Sequence, residues 1–470
     1  MAICARATWP PMAKTAIPRS LVASYATIPP PDSLARSRRA RSRRRQVEIV
    51  GAEIRGVDDQ PLLAGGHVEA PQRVHRILRP RRPQERDEAA VGGDLHVAGR
   101  PEAETAGHRL AAGKGFGRGH GGIVTASPRP CTHGAAAAGR RLVEPLTGPI
   151  RWGIAGTGGI AASFRRDLAS VDDAVVVAVG SRSAEAAAGF AADHGITGTA
   201  GTYADLAADP DVDVVYVAGI HPVHAPQAVQ FLEAGKHVLV EKPIALTASE
   251  VDRMIAAATA HDRFLMEAMW MRFNPAHVEL VHRLRTGAIG EPRRIVADFS
   301  FALPYAPEHR LWDIAKGGGA LLDLGIYPVT LAWWIFGPPE SIEVAGHVHE
   351  AGADDEVSLL CRWAGGESAL LTCGLRLPGP MTARIEGTEG YAHLPAPFHA
   401  TSRLDIHRGA EVEHIDAPPA GLHHQVAEVH RCLRHGERQS PEVPWATSRA
   451  IIERFDALRE VLGVRYSADG

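Results

Sequence analysis

The sequence is short of cysteine, of long apolar runs and, in its first third, of aromatic residues. Its five cysteines, among 470 residues, have no paired spacing typical of a zinc site and are too few for a disulfide scaffold. We therefore expect no metal site and a reducing compartment, the cytoplasm. No apolar run reaches the ~18 residues that a membrane span requires, so we expect no membrane partner.

The first third also differs from the rest in charge. Residues 1–150 carry 24 Lys plus Arg against 13 Asp plus Glu, whereas the remainder carries 27 against 41. The aromatic residues of this part are Trp9, Tyr25 and Phe116. So few large apolar groups cannot offset the entropy of ordering this length of chain. We predict a low-order extension, rich in Arg, Ala, Gly and Pro, over residues 1–149.

Three interpretations of this extension stay open. A twin-arginine export signal would explain Arg43-Arg44-Arg45, but Gln46-Val47-Glu48 follows where an apolar stretch is needed. A nucleic-acid tail would explain the arginine cluster, but interleaved acids and the shortage of aromatics argue against it, so we expect no nucleic-acid partner. We favour the third, that these residues do not belong to the working protein because the start codon is placed too far upstream.

A dinucleotide-binding pattern begins at residue 150. Residues 150–155 read as a buried strand, a glycine turn follows, and a helix runs on through Leu168. Valine-rich segments then alternate with helical ones, which is typical of a parallel sheet. Glycines in the turn let backbone N–H groups approach a pyrophosphate, and a small residue lets helix and strand pack closely. We predict a Rossmann NAD(P)-binding domain over residues 150–271, whose cofactor contacts include Gly156, Gly158, Gly159, Ile160 and Ala161.

The residues after the second strand of this domain favour NADP over NAD. An acid commonly holds the ribose 2′-hydroxyl of NAD at this position, but this chain has Gly180-Ser181-Arg182-Ser183. An arginine with flanking hydroxyls suits a 2′-phosphate. Ser181 and Arg182 are therefore predicted to contact NADP.

Beyond residue 271 the pattern changes to helices followed by alternating strands. Local hairpins such as 404–415 around Arg408-Gly409 indicate a mainly antiparallel sheet. Two helices close the chain, the second stopped by Gly463. We predict an α+β domain over residues 272–470, and hence an α/β protein with a Rossmann domain followed by an α+β domain.

Three residues are candidates for handling a proton. Asp323 and Tyr327 are four residues apart on one predicted helix face, and Lys242 follows a strand. Oxidation of a secondary alcohol needs a base for the hydroxyl proton while hydride leaves carbon. A free phenol has a pKa of about 10, so Tyr327 needs a nearby cation, for which Lys242 is the candidate. Asp323 is expected to orient Lys242 or to accept from a substrate hydroxyl.

These motifs together resemble the glucose–fructose oxidoreductase / inositol dehydrogenase (Gfo/Idh/MocA) family. The resemblance is carried by Glu241-Lys242-Pro243, the glycine turn and the segment 317–327, and it covers residues 150–466. Tyr327 stands where most of the family has His. That feature is similar to the branch that contains dimeric dihydrodiol dehydrogenase and the NADP-dependent D-xylose dehydrogenases. The resemblance implies hydride transfer between a nicotinamide and a sugar or cyclic trans-dihydrodiol, with Lys242 and Tyr327 as the catalytic pair.

The resemblance also assigns further positions. It implies a homodimer formed through the open sheet face of the second domain, and a loop beside the nicotinamide at His221 and His224. Gly219-Ile220 precedes this histidine pair where the family commonly has Thr followed by Pro or Gln. A metal role for the pair is disfavoured because no third ligand is evident. Glu241 and Lys242 join the expected cofactor contacts, and the segments expected to line the substrate pocket contribute Arg272, Arg310 and Trp312.

Two other functions stay open at this point. One is a glycosidase of the same fold that uses a tightly held NAD in a transient oxidation. The other is a non-catalytic nucleotide-binding or regulatory protein. The presence of Lys242, Asp323 and Tyr327 together favours a dehydrogenase over both.

Overall fold

The computed structural model of this chain describes residues 120–125 and 143–469. Most of the predicted extension, including Arg43–Arg45, lies outside the described residues. Within it, strand β1 (His120–Thr125) is present. Val143 is 2% exposed, and its N–H donates to the carbonyl oxygen of Gly436 at 2.8 Å. The packed body therefore begins before residue 150, where composition placed its start.

A six-stranded parallel sheet forms the nucleotide-binding part, as predicted. Its strands are β2 (Ile150–Ala155), β3 (Ala174–Ser181), β4 (Thr199–Thr202), β5 (Val214–Val217), β6 (His237–Glu241) and β7 (Leu265–Ala268). Its helices are α1 (Gly159–Leu168), α2 (Ala184–Asp193), α3 (Tyr203–Ala208), α4 (His221–Glu233) and α5 (Ala248–Ala260). The strand order is β4-β3-β2-β5-β6-β7. In open α/β sheets the ligand crevice is found where the strand order reverses, and here that point is at the carboxyl ends of β2 and β5.

A nine-stranded sheet forms the second part. Its order is β1-β9-β10-β11-β8-β12-β13-β14-β15, and its described pairs are antiparallel except β8 with β11. The remaining strands are β8 (Pro292–Ser300), β9 (Ser341–Val348), β10 (Asp354–Arg362), β11 (Ser368–Gly374), β12 (Ala383–Gly387), β13 (Tyr391–Leu394), β14 (Arg403–Arg408) and β15 (Glu411–Asp416). Helices α6 (Pro275–Arg285) and α7 (Ile326–Phe336) accompany this sheet. The mainly antiparallel prediction is confirmed.

The two last helices, α8 (His423–Arg434) and α9 (Trp445–Leu462), return to the first sheet. The indole N–H of Trp152 donates to His430 Nε2 at 3.0 Å. On α9, the Asp456 carboxylate accepts from the backbone N–H of Ala248 at 2.9 Å. A boundary at 271/272 therefore separates the two sheets but leaves these helices packed on the earlier domain. Gly463 ends α9 with a positive φ of 80°, as the sequence predicted.

Residues 314–336 form one helical stretch that is long and apolar enough to cross a membrane by length and composition. In this structure 83% of its most apolar window is buried inside the protein, as in the core helix of a globular domain. The stretch contains a 3₁₀ turn (Ile314–Lys316), a π turn (Leu321–Gly325) and α7. It carries Asp323 and Tyr327 into the interior.

Candidate active site

The glycine turn after β2 fits a dinucleotide phosphate group. Gly156 has a φ of +123°, and a Cβ there would lie 2.9 Å from the carbonyl oxygen of Ala218. Cβ atoms at Gly158 and Gly159 would meet nothing within 4 Å, so the space above them is open. Gly158 caps α1 without a side chain, and the first turn of α1 carries no acid. The N–H groups of this helix start are therefore available to an anion, for which the helix dipole is also favourable.

The other predicted residues of this turn divide between contact and packing. Ala161 is fully buried, which agrees with a role in helix–strand packing, and Ile160 is partly exposed beside the turn. At the end of β3, Ser181 is buried and Arg182 is exposed. The Ser183 hydroxyl accepts from the backbone N–H of Ala186 at 3.2 Å, so it caps α2. Arg182 is thus a charged group at this strand end that reaches solvent.

Asp323 is the centre of a buried charge cluster. Its carboxylate accepts from Lys242 Nζ at 3.1 Å, and its backbone carbonyl accepts from the same ammonium at 3.0 Å. Arg310 donates to both carboxylate oxygens, at 3.0 and 3.1 Å. His221 Nε2 lies 3.3 Å from the same carboxylate. Lys242 directly follows β6, so the parallel sheet delivers it to the crevice where the buried helical stretch delivers Asp323.

This cluster fixes the charge of Asp323. Burial alone would raise the pKa of this carboxyl group, but the charges of Lys242 and Arg310 and the contact with His221 hold it well below its ordinary value. The carboxylate therefore stays ionised at neutral pH. The Arg310 side chain is 45% exposed, whereas that of Lys242 is 11% exposed, so Arg310 covers the cluster from the solvent side.

Tyr327 lies beside Lys242 in an aromatic surrounding. Its phenol oxygen accepts from the indole N–H of Trp270 at 3.1 Å. Lys242 Nζ is 5.0 Å from the centroid of the Tyr327 ring. Burial raises the pKa of Tyr327, and the negative charge of Glu241 adds to this. The expectation that Lys242 brings this phenol towards ionisation is not met here, because the ammonium donates to Asp323. The phenol is neutral in this arrangement.

The helix changes type between the two candidate residues. Asp323 lies in the π turn Leu321–Gly325, and Tyr327 is the second residue of α7. Pro328 has no N–H with which to donate to the Leu324 carbonyl, so the regular α-helical pattern cannot continue backwards through it. π turns inside helices often occur at functional sites. Both side chains still reach Lys242, so the predicted juxtaposition holds although the uniform helix does not.

Glu241 is a buried acid next to Lys242. The Tyr216 hydroxyl donates to its carboxylate, and the backbone N–H of Lys242 donates to the other oxygen at 3.2 Å. Burial raises the pKa of Glu241 to about 7, against the opposing effects of the Tyr216 hydrogen bond and the Lys242 charge. Both oxygens of its carboxylate accept hydrogen bonds from protein groups. Glu241, which was predicted to contact the cofactor, therefore supports Lys242.

His221 and His224, which were predicted in a loop, lie in the first turn of α4 and are buried. His221 Nδ1 lies 2.9 Å from the Gly317 carbonyl oxygen, which ties α4 to the turn before the buried helix. His224 lies between the carbonyl oxygens of Pro243 and Gly219, at 2.8 and 3.1 Å. Burial, followed by the charge of His221, lowers the pKa of His224 to about 3. No cluster of three metal-ligating side chains occurs in the described part of the chain.

The three predicted substrate residues separate in the structure. Arg310 joins the Asp323 cluster. Arg272 instead stacks on Trp334 at 4.2 Å and pairs with Glu442 at 3.8 Å. Trp312 is buried, with its indole N–H bonded to the Pro304 carbonyl at 3.1 Å. These contacts give Arg272 and Trp312 packing roles.

Sequence reasoning missed the ring side chains around Tyr327, which include Trp270, His399 and Phe299. Trp270 donates to its hydroxyl, and the His399 ring lies 4.8 Å from its ring. Trp270 lies two residues before Arg272, in a segment that the sequence predicted to line the substrate pocket, so its position was available as a signal. His399 belongs to none of the motifs and comes from the 3₁₀ turn Phe398–Ala400 after β13. Only the fold brings it here.

Comparison with known proteins agrees with this architecture. Residues 150–269 match the model of the oxidoreductase family with an NAD-binding Rossmann fold, and residues 277–393 match the GFO/IDH/MocA C-terminal domain. The trans-1,2-dihydrobenzene-1,2-diol dehydrogenase of Mus musculus is 38% identical over 334 residues, which are 68% of this chain and 99% of that protein. The chain belongs to the Gfo/Idh/MocA family.

One further relative and two solved structures extend the comparison. The Homo sapiens trans-1,2-dihydrobenzene-1,2-diol dehydrogenase is 36% identical over 68% of this chain and 99% of its own length. A 3-ketoreductase from Actinomadura kijaniata, solved with NADP and TDP-benzene, is 27% identical with a TM-score of 0.60, over 68% of this chain and 98% of that one. An aldose-aldose oxidoreductase from Caulobacter crescentus, 23% identical over 67% and 98% of the two chains, shares the fold with a TM-score of 0.62.

These comparisons bear on one of the two alternatives that the sequence left open, a non-catalytic nucleotide-binding protein. The relatives are named dehydrogenases and oxidoreductases, and the first domain matches an NAD-binding Rossmann model. This Gfo/Idh/MocA protein is therefore an NAD(P)-dependent dehydrogenase, rather than a non-catalytic nucleotide-binding protein.

The raised pKa of the buried Glu241 predicts that the stability of the folded protein depends on pH. The folded-state pKa of Glu241, about 7, lies above its ordinary value of 4.5, so the folded protein holds this proton more tightly than the unfolded chain. The stability it contributes below pH 4.5 is therefore lost as pH rises to about 7. Glu241→Gln cannot ionise and keeps an acceptor for Tyr216. Across this window, wild type should lose about 3 kcal/mol of unfolding free energy relative to the variant.

Urea denaturation at a series of pH values measures this difference. Glu233→Gln, an exposed glutamate on α4, is the matched control and should follow wild type. Parallel pH profiles for wild type and Glu241→Gln would contradict the raised pKa.

Proposed function

We propose that this protein is an NADP-dependent oxidoreductase that transfers hydride between the nicotinamide and a sugar, such as an aldose, or a cyclic trans-dihydrodiol. The observation that carries the proposal is the convergence of Lys242 and Tyr327, from separate domains, beside the crevice at the end of the parallel sheet. A bound nicotinamide would accept or supply the hydride. The protein residues must then handle the proton of the substrate oxygen.

Tyr327 is suited to hold that proton. Its oxygen accepts from Trp270, which fixes the ring and leaves the phenolic O–H to donate elsewhere. The raised pKa keeps the proton on the phenol in the free protein, so Tyr327 can donate it to a carbonyl oxygen in the reducing direction. In the reverse direction the phenolate form of Tyr327 takes the hydroxyl proton of the alcohol. Lys242, one ammonium with several donors, supports the negative charge that develops on the same oxygen.

The neighbouring 3-ketoreductase supports this pair. Variants of that protein with one tyrosine changed to phenylalanine and one lysine changed to alanine or glutamate have been solved. The two replaced positions are 84 residues apart in that chain, and Lys242 and Tyr327 are 85 apart here. Nearly equal spacing over so long a segment is what the same pair on the same fold requires.

Two observations support NADP as the preferred cofactor. Arg182 is exposed directly after β3, where a Rossmann fold places the adenosine ribose. The neighbouring 3-ketoreductase was solved with NADP. The Arg182 guanidinium can pair with a 2′-phosphate, whereas NAD offers it only a hydroxyl.

The substrate class follows from the relatives and from the polarity of the cluster. The curated relatives are named for a trans-dihydrodiol, and one structural neighbour for aldoses. Arg310 and Lys242 present N–H donors around Asp323 at the crevice, which suits a substrate with several oxygens.

Substitution of the pair tests the mechanism. Tyr327→Phe and Lys242→Met should each lower kcat/KM by about 100-fold or more, because each removes a donor to the reacting oxygen, while NADP binding is retained. The measurement is absorbance of the reduced nicotinamide with NADP and NAD, each offered with D-xylose, D-glucose and trans-dihydrobenzenediol. Tyr203→Phe, a half-buried tyrosine on α3, is the control. Full turnover by Tyr327→Phe would exclude the proposed role.

Cofactor preference is tested separately. Arg182→Ala should raise the KM for NADP by about 10- to 100-fold, the range of one or two lost charged hydrogen bonds, and change the KM for NAD little. Arg465→Ala, another exposed arginine, is the control. An equal change for both cofactors would remove the argument for 2′-phosphate recognition.

We also propose a cytoplasmic homodimer that pairs through the open face of the nine-stranded sheet. Val296 on β8 and Leu370 on β11 are register partners, 40% and 46% exposed. Adjacent exposed aliphatic residues on a sheet face are typical of an interaction surface. Leu370→Glu should convert the dimer to a monomer in sedimentation velocity, whereas Leu377→Glu, an exposed leucine outside the strands, should not. A monomeric wild type would refute the pairing.

A further inference from the structure

His399 forms part of the wall around Tyr327. Its ring centroid lies 4.8 Å from that of Tyr327, and it stacks on Phe299 at 4.3 Å with an interplanar angle of 23°. The Trp270 ring meets it edge-on at 5.7 Å. The imidazole is therefore in contact with the phenol proposed to exchange the substrate proton, and packing on two aromatic rings fixes its plane.

Several buried polar atoms of His399 and of residues near it have no hydrogen-bond partner among the described residues. His399 Nδ1 is buried, with no hydrogen bond to any described residue. Asn274 Oδ1 and both ring nitrogens of His277 share this state. Asn274 and His277 are completely buried, whereas His399 is partly exposed. His399 Nδ1 is itself buried, but the residue as a whole is partly exposed, so His399 is the member of this group whose side chain an incoming ligand can approach. Unsatisfied polar atoms in a native structure need a partner or a functional reason.

Asn274 donates a hydrogen bond to His399 and does not cap the helix that it precedes. Asn274 occupies the N-cap position of α6, where its side-chain oxygen would ordinarily accept from the first turn. The structure has no such cap bond. Instead, its Nδ2 donates to the backbone carbonyl of His399 at 3.2 Å. A local rule broken at a buried position is typical of a functional site.

We propose that His399 binds the hydroxyl group on the carbon next to the reacting carbon, and so selects vicinal diols and 2-hydroxy aldehydes over simple alcohols and aldehydes. This rests on the proposed function, because it takes Tyr327 as the residue at the reacting oxygen. When the reacting oxygen lies at Tyr327, the hydroxyl group on the adjacent carbon is only one carbon–carbon bond further along the substrate. A side chain that contacts the Tyr327 ring, as His399 does, is well placed to bind that hydroxyl group. Asn274 is a positioning residue for His399.

The chemistry of a neutral imidazole suits this task. Burial, and then the charge of Lys242, lowers the pKa of His399 to about 3, so the ring stays neutral. A neutral imidazole has one N–H donor and one acceptor nitrogen, and a hydroxyl group is also both donor and acceptor. A site built to hydrogen-bond a hydroxyl strongly rejects the analogue that lacks it.

The test compares matched substrates on wild type and His399→Phe, which keeps the aromatic packing and removes the hydrogen bond. The pairs are D-glucose with 2-deoxy-D-glucose, and trans-dihydrobenzenediol with its monohydroxy analogue. Wild type should prefer the vicinal member of a pair by about 100-fold in kcat/KM. His399→Phe should lose most of that preference and keep its rate on the deoxy or monohydroxy member.

Two further variants separate recognition from damage to the fold. His399→Gln, which can donate and accept, should recover part of the preference. Asn274→Ala should reduce the ratio between the paired substrates, a readout that loss of stability alone would leave unchanged. His282→Phe, at an exposed histidine on α6, is the control and should keep the wild-type ratio.

The outcomes distinguish this inference from the proposed function. A wild type without preference between paired substrates, or a His399→Phe variant that slows both equally, overturns the role of His399 and leaves the dehydrogenase standing. If none of these compounds is turned over, the proposed substrate class fails. Calorimetric binding of the same pairs to the NADP-loaded protein then decides on His399, whose role is overturned if both members bind wild type equally.

Discussion

The site depends on the ion pairs that the buried carboxylate of Asp323 forms. It gathers Lys242 from the end of a parallel strand, His221 from the start of α4 and Arg310 from the loop before the buried helix. An isolated buried carboxylate would be costly, and it is tolerated because cations and hydrogen bonds surround it. These ion pairs offset the free-energy cost of burying the charge. Because the partners come from both domains, the same ion pairs also hold the Rossmann sheet against the second domain at the crevice.

Those parts of the fold whose pattern is local could be predicted from the sequence. The glycine turn, the valine-rich strands and Gly463 each report a conformation through a few adjacent residues, and the structure confirms them. Contacts of long separation could not be derived in this way. No local signal connects Trp152 with His430, or Asn274 with the carbonyl of His399, since such pairs are created only when α8 and the second sheet are in place.

The site was predictable in identity but less so in its electrostatics. Spacing and resemblance brought together Lys242, Asp323 and Tyr327, and the structure places them side by side. The expected lowering of the pKa of Tyr327 by Lys242 did not follow, because the phenol is buried and the ammonium donates its hydrogen bonds to the Asp323 carboxylate. Arg272 and Trp312 illustrate a related limit. Both lie in segments that border the pocket, yet their side chains pack on Trp334 and bond to Pro304, and side-chain direction is not encoded in spacing.

The proposed mechanism uses Tyr327 in both directions of a hydride transfer, with the phenol donating a proton to a carbonyl oxygen and the phenolate accepting one from an alcohol. Arg310 alone satisfies both oxygens of Asp323, through two bonds at 3.0 and 3.1 Å. Lys242 can therefore exchange one of its acceptors for a substrate oxygen without leaving the carboxylate unpaired. An ammonium at that oxygen lowers the pKa of a bound alcohol and stabilises the alkoxide-like charge of the transition state. In this proposal, proton transfer to and from Tyr327 depends on the position of Lys242, which contacts Asp323, the partner of Arg310.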